Sequence, residues 1–241
     1  MGERLAHVVR LIANEPARAD DGVGVAGILR RLCSAAGRSL SASGVGVSVM
    51  STDGMRGIAA TSDPKVAHFE ELQFTLGEGP CLEAFSTRRP VLVPDLADGA
   101  TRRWPSYTPA VHDHGLRAVF AFPLQIGAAR LGVLDVFRRE PGLLSDVELR
   151  RALIFADVAV TTLLDGQEQA TPGSAAAGLD DAMGNRAELF QAQGMVAVRL
   201  GVSLTDALAR LRAHAFAENR RLGDVARDVV ARRLQFDSDQ S

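Results

Sequence analysis

The side chains best placed to do chemistry in this chain lie near its C-terminus, and the chemistry they suit is anion recognition. From Asn185 to Leu234 nine arginines stand against five acids, a net of +4, although the whole chain carries −2. Arg186, Gln191 and Gln193 fall within one helical stretch. Arg220 and Arg221 occupy a turn, and Arg227 lies on the stretch that follows. A guanidinium offers a planar fork of donors that pairs with phosphate oxygens or base edges. Charge alone is equally consistent with an ordinary solvated arginine face.

Elsewhere the residue types exclude more than they suggest. Cys33 and Cys81 are too few for a disulfide scaffold or a four-ligand zinc site. The five histidines are scattered, so no metal cluster and no cofactor is expected. Gly77–Glu78–Gly79–Pro80–Cys81 reads as a tight turn. It lacks the lysine and hydroxyl that a phosphate-binding loop needs. At a helix N-terminus Cys81 would have a lowered pKa and redox sensitivity; a buried, inert thiol is the favoured reading. Ser, His and Asp residues are spread without a nucleophile elbow, so no catalytic residue is assigned and the chain is read as non-enzymatic. Phe74, Cys81, Trp104, Tyr107, Phe120 and Phe122 are the candidates to line an apolar ligand pocket.

Two kinds of periodicity must position these groups. With 46% hydrophobic residues in 241, a real core is available. Asp20–Leu40 has helical spacing. Gly44–Met50 alternates valine with small residues as a half-buried strand does. Asp53–Gly54 is a hairpin turn signal leading to a returning strand at Met55–Ala60. Pro64–Leu72 predicts a short helix and Pro90–Pro94 a short strand. Ala118–Ile126 and Leu131–Phe137 predict a hairpin. Ser145–Leu164 predicts a long helix, capped by Ser145 with Glu148 and striped by Leu149, Leu153, Ala156, Val160 and Leu163. Strands joined by hairpins imply an antiparallel sheet flanked by helices, an α+β domain. A linker is expected over 166–180, because Gly166–Gly178 carries no large apolar residue. Beyond it three apolar stripes predict a small all-α three-helix bundle: Leu189 to Leu200, Leu204 to Ala215, and Leu222 to Leu234. Gly201 and the pair Ser203 and Asp206 punctuate them. No run approaches the length of a membrane helix, so a soluble cytoplasmic protein is expected.

The C-terminal part resembles the ANTAR domain. The resemblance rests on Phe190–Gly194 (FQAQG), Gly201–Ser203, Asp206–Ala207, Leu211–Arg212, Asn219 and Leu222–Ala226 (LGDVA), in order and spacing. It implies a three-helix domain, here 181–236, that binds paired RNA hairpin loops and prevents transcription termination. The family usually has lysine where this chain has Gln193. The N-terminal part, 4–165, resembles a GAF domain through Gly77–Cys81, Pro90–Leu96 (PVLVPDL), Asp113–Ala118, Phe122–Leu124 and Gly132–Leu134. The same segments are similar to the GAF half of actinobacterial GAF–ANTAR antitermination regulators. That resemblance implies small-ligand sensing or dimerisation. One GAF-fold enzyme family reduces methionine sulfoxide through a cysteine relay, which two cysteines without a relay motif do not provide.

The reading that results is an RNA-binding antiterminator-type regulator. Its sensor half would dimerise through the Asp20–Leu40 and Ser145–Leu164 helices. Its partners would be hairpin-containing transcripts, an unidentified small molecule and a second copy of itself. Two rivals remain open: a DNA-binding factor, and a ligand-binding or dimerisation protein whose bundle has lost RNA affinity.

Overall fold

The computed structural model describes residues 2–16, 24–51, 56–169, 177–218 and 220–236, and the side chains of all these except 167–169 and 177–187. Helices α1 (Gly2–Ala13) and α2 (Val25–Ser39) lead into strands β1 (Gly44–Met50) and β2 (Arg56–Thr61). Helices α3 (Pro64–Leu76) and α4 (Pro80–Thr87) follow, then β3 (Val91–Val93) and the short helices α5 (Ala100–Arg103) and α6 (Tyr107–Asp113). Strands β4 (Ala118–Ile126) and β5 (Ala129–Arg138) precede the long α7 (Asp146–Gln169). The expected Asp53–Gly54 turn and Asn219 lie outside the described residues.

The five strands form one antiparallel sheet in the order β2-β1-β5-β4-β3. The hairpin of β4 and β5 turns at Gly127, whose φ of 55° suits a residue without a Cβ. One sheet face packs on α2 and α7, with α1 against those two helices, and Phe120, Phe122, Leu134 and the α7 residue Phe155 are among the side chains buried there. The opposite face packs under α3 to α6, with Phe69, Tyr107, Val119 and Phe137 among them.

Strand β1 departs from the half-buried expectation, since all seven of its residues are buried. Its small side chains do not face water; they lie under α3. A Cβ at Gly46 would come 2.3 Å from Glu70 Oε1, and one at Gly44 would come 2.2 Å from Val66 Cγ2. The alternation of valine with glycine and serine therefore records close helix approach rather than exposure.

Both ends of the expected first helix shift. The helix of that region begins at Val25, and the separate α1 precedes it. On α7 the capping box forms as read, with Ser145 Oγ accepting from Glu148 N at 3.2 Å and Ser145 N donating to Glu148 Oε2 at 2.8 Å. Its stripe rotates, however. Ala152, Phe155, Ala156, Ala159 and Leu163 are buried, while Leu153 is 42% exposed. The sheet takes the bulky Phe155 inward, and Leu153 follows the opposite face.

Helix α7 runs to Gln169, and α8 (Ala177–Leu200) begins within the expected linker. Gly166 lies on α7 against Val25, leaving no room for a Cβ. With α9 (Leu204–Ala217) and α10 (Leu222–Val230), α8 closes a third core of Ala192, Val196, Leu211, Ala215, Val225 and Val229. Each large apolar side chain so buried contributes roughly 1.5–3 kcal/mol. Gly201 ends α8 at φ 64°. Ser203 caps α9 by accepting from Asp206 N at 3.1 Å.

Candidate functional site

Two places gather groups capable of recognition: the outer surface of the bundle and the space between α3, α4 and β5. On the bundle, α8 and α10 meet where Arg227 reaches Glu188 at 3.4 Å and Asp224 at 2.9 Å. Gln191, one turn from Glu188, is exposed beside them. Asp228 receives both Arg220 and Arg233, which fixes two guanidinium planes around one carboxylate. These arginines hold Asp228 below the usual carboxylate range. Gln193 is half-buried, and its amide nitrogen donates to Leu204 O at 2.7 Å, tying α8 to the start of α9. The side chain of Arg186 lies outside the described residues.

The bundle rests on the sensor half. Glu71 of α3 accepts a hydrogen bond from the backbone N–H of Leu222 at 3.2 Å, so a sensor carboxylate closes the N-terminus of α10. Arg212 of α9 lies against Gly77, where a Cβ would come 2.6 Å from its Nη1. Burial and the neighbouring Arg56 lower the Arg212 guanidinium to about 10. Arg220 and Arg221 line a cleft of about 430 Å³ with His68, Glu71, Asp113 and His114. Burial, then His114 and Arg221, lower the His68 pKa. The six proposed RNA contacts are thus divided. Gln191 and Arg227 face outward, Arg220 and Arg221 border the sensor, and Gln193 is engaged within the bundle.

Inside the sensor, the Gly77–Cys81 segment is the tight turn expected, with φ 74° at Gly77 and 138° at Gly79. It delivers Cys81 to the first turn of α4, where Cys81 N donates to Gln73 Oε1 at 2.8 Å. Burial, reinforced by Asp135 and Glu70, pushes the Cys81 thiol up rather than down. The helix N-terminus does not make it reactive, because no solvent reaches it. Cys33 is likewise buried, with its pKa raised by burial.

Of the six residues expected to line a pocket, Phe74, Cys81, Trp104 and Tyr107 share the core beneath α3 to α6. Phe120 and Phe122 do not. They project through the other face of β4, onto α2 and α7, while Val119 and Ala121 take the inner positions. Side chains alternate across a strand, and the sequence of β4 is apolar on both faces, so nothing in it marks which face each Phe takes.

Among the described residues one group of possible metal ligands comes together that sequence spacing did not suggest. Glu70, Cys81 and Asp135 are fully buried, and one ligand atom from each lies within 4.8 Å of the others. Burial raises Glu70 well above the usual carboxylate range, and Asp135 is pushed up to about 7. Ser48 donates to Glu70 Oε2 at 3.1 Å. The three residues are too far apart in sequence to form a motif. The legible signal is confined to Asp135, an acid inside the otherwise apolar GVLDVF; Glu70 stands among the polar residues of HFEELQF and carries no such mark.

The comparisons with known proteins agree with this architecture. The family model for the GAF domain matches residues 23–164, and that for the ANTAR domain matches 177–230. None of the curated proteins matches the chain. Among solved structures, the GAF domain of a phosphoenolpyruvate-protein phosphotransferase from Coxiella burnetii superposes with TM-score 0.52 at 14% identity. It covers 69% of this chain and 94% of its own. The corresponding Acinetobacter GAF domain gives 0.51 at 12% identity, with coverage of 69% and 94%. A free methionine-R-sulfoxide reductase from Neisseria meningitidis gives 0.50 at 14%, with coverage of 70% and 91%. At such identities the likeness carries the fold alone. A GAF domain is a small-molecule-sensing module and an ANTAR domain an RNA-binding one, so the chain has the composition of a regulator. With the GAF match spanning more than half its length, this chain belongs to the GAF domain family and carries an ANTAR domain behind the sensor.

Proposed function

We propose that this protein is an antiterminator-type regulator. As a homodimer in the cytoplasm, it binds hairpin-containing transcripts through its C-terminal bundle under control of the GAF domain. It is not an enzyme in this reading. The observation that carries the proposal is the closed α8–α10 bundle over the ANTAR match, with Gln191 and Arg227 outward and Arg220, Arg221 and Arg233 around its edge. RNA loops expose unstacked bases and phosphates that such side chains can reach. Glu188, Asp224 and Asp228 hold Arg227, Arg220 and Arg233 in the absence of RNA, which keeps their forks ordered for bidentate contact. Arg186 is added from the sequence. Gln193 contributes by fixing the α8–α9 corner.

Dimerisation is proposed through the helical side of the sensor. Helices α2 and α7 spend their apolar faces on the sheet, yet Leu5, Val9, Ile28, Val147 and Leu153 remain 37–51% exposed on that side. A second copy covering them would bring two bundles to one transcript, so each hairpin loop gains avidity from the other. Among the described residues no helix is long and apolar enough to cross a membrane. In the sensor, Phe74, Cys81, Trp104 and Tyr107 are the proposed surroundings of the sensed molecule.

Binding of the full chain to a two-hairpin transcript tests this, with a single hairpin and duplex DNA as competitors. Salt-sensitive binding that weakens with one hairpin is expected. Preference for duplex DNA would favour a DNA-binding factor. Absence of binding that Gln193→Lys restores would mark a bundle that has lost RNA affinity.

A further inference from the structure

Three anionic ligand types converge beneath α3 to α6, and some of the polar atoms around them have no hydrogen-bond partner. Asp135 lies within hydrogen-bonding reach of both Glu70 and Cys81, whereas Gln73 Nε2, Tyr107 Oη and Thr108 Oγ1 are buried without a partner. A buried polar atom without a partner costs about 1–3 kcal/mol, and native interiors hold few of them. Gln73 Nε2 and Tyr107 Oη lie beside the Glu70, Cys81 and Asp135 side chains, and one shared occupant would satisfy them.

We propose that Glu70, Cys81 and Asp135 form a site for a single divalent transition-metal ion of the zinc or ferrous kind. The three side chains come from α3, α4 and β5, with one ligand atom from each within 4.8 Å of the others. Around a zinc-sized ion, bonds of about 2.0–2.3 Å put neighbouring ligands about 3.5 Å apart. With the ligand atoms within 4.8 Å of one another, the three side chains would draw in to hold the ion. A thiolate beside two carboxylates selects a borderline ion over magnesium or calcium, which prefer oxygen alone.

Charge also balances. Three anionic ligands and a divalent cation leave −1, and the largely buried Arg56 supplies +1 beside Cys81, with its Nη1 unpartnered. Gln73 is already tied to the Cys81 amide through its oxygen, leaving its nitrogen available. With Tyr107, whose hydroxyl lies near the same three groups, it would neighbour the remaining coordination position, which a water or a small ligand would take. Three protein ligands with an open position is the arrangement of a reactive or exchangeable metal site rather than a closed structural one.

The test uses the full chain, stripped with chelator and titrated with cobalt(II). The expected result is one ion per chain, with a thiolate-to-cobalt charge-transfer band in the near ultraviolet and visible bands of a four- or five-coordinate ion. The band should disappear in Cys81→Ser and persist in Cys33→Ser. Glu70→Gln and Asp135→Asn, which keep shape and remove charge, should weaken binding at least tenfold. Should Cys81→Ser not fold by circular dichroism, Cys81→Ala takes its place. Absence of a charge-transfer band in the native chain overturns the proposal, and so does a band that survives loss of Cys81. The result is independent of whether the bundle binds RNA, so either reading can fail alone.

Discussion

Removing the Glu71 side chain should loosen the bundle from the sensor without unfolding either. Leu222 opens α10, and its N–H is one of the donors that a helix leaves unsatisfied at its start. The described residues give it no cap from its own bundle; Glu71, 151 residues away, accepts it at 3.2 Å. Losing a side-chain cap costs about 1 kcal/mol. Losing a negative charge at a helix N-terminus costs roughly a further 0.3–1 kcal/mol. Burial raises the Glu71 pKa and so offsets part of the ionic gain. About 1.5 kcal/mol is therefore the upper figure, a factor of about ten. In Glu71→Ala, hydrogen exchange at Leu222 and in the first turn of α10 should accelerate by up to about tenfold. Amides of β1 and β5 should exchange as before. Glu71→Gln, which keeps an acceptor, should lie between. Because Arg220 and Arg221 line the same cleft, RNA affinity should rise, by no more than the same factor. Unchanged exchange at Leu222, or equal acceleration throughout the sheet, would refute the reasoning.

Three other outcomes follow from the same geometry. Gly132→Ala should lower the melting temperature severely or abolish folding, because its Cβ would lie 1.9 Å from the backbone oxygen of Ser48 on the paired strand. Gly194→Ala should instead gain about 0.5–1 kcal/mol in urea unfolding, since a Cβ there meets nothing within 4 Å and the position is helical. If RNA approaches the backbone at this glycine, the same variant should lose RNA binding while gaining stability. Burial, then the adjacent His114 and Arg221, lower the pKa of His68, with Glu71 and Asp113 in the same cleft. Its folded pKa lies below the unfolded 6.5, so the unfolded chain takes up the proton first as pH falls. Its contribution should be complete above 6.5 and decline below it, and thermal melting of His68→Gln should show a flatter acid limb.

Much of this protein is determined within a few residues of sequence. The Ser145–Glu148 and Ser203–Asp206 caps, the stripes of α9 and α10, the turn glycines 77, 79 and 201, and the β4–β5 hairpin all depend on neighbours within one or two turns. Periodicity and capping chemistry make those visible, and the two family resemblances follow from the same residues. Other features depended on strand pairing and helix packing across long separations. The face of β4 that takes Phe120 and Phe122 is decided by which helices cover which side, and a strand apolar on both faces does not encode it. Eleven and fifty-four residues separate Glu70 from Cys81 and Cys81 from Asp135, and only α3 and α4 folding over β5 brings them together. The docking of α10 on Glu71 is likewise tertiary, because an acid in a helix of one domain carries no mark of the N–H it will meet on another.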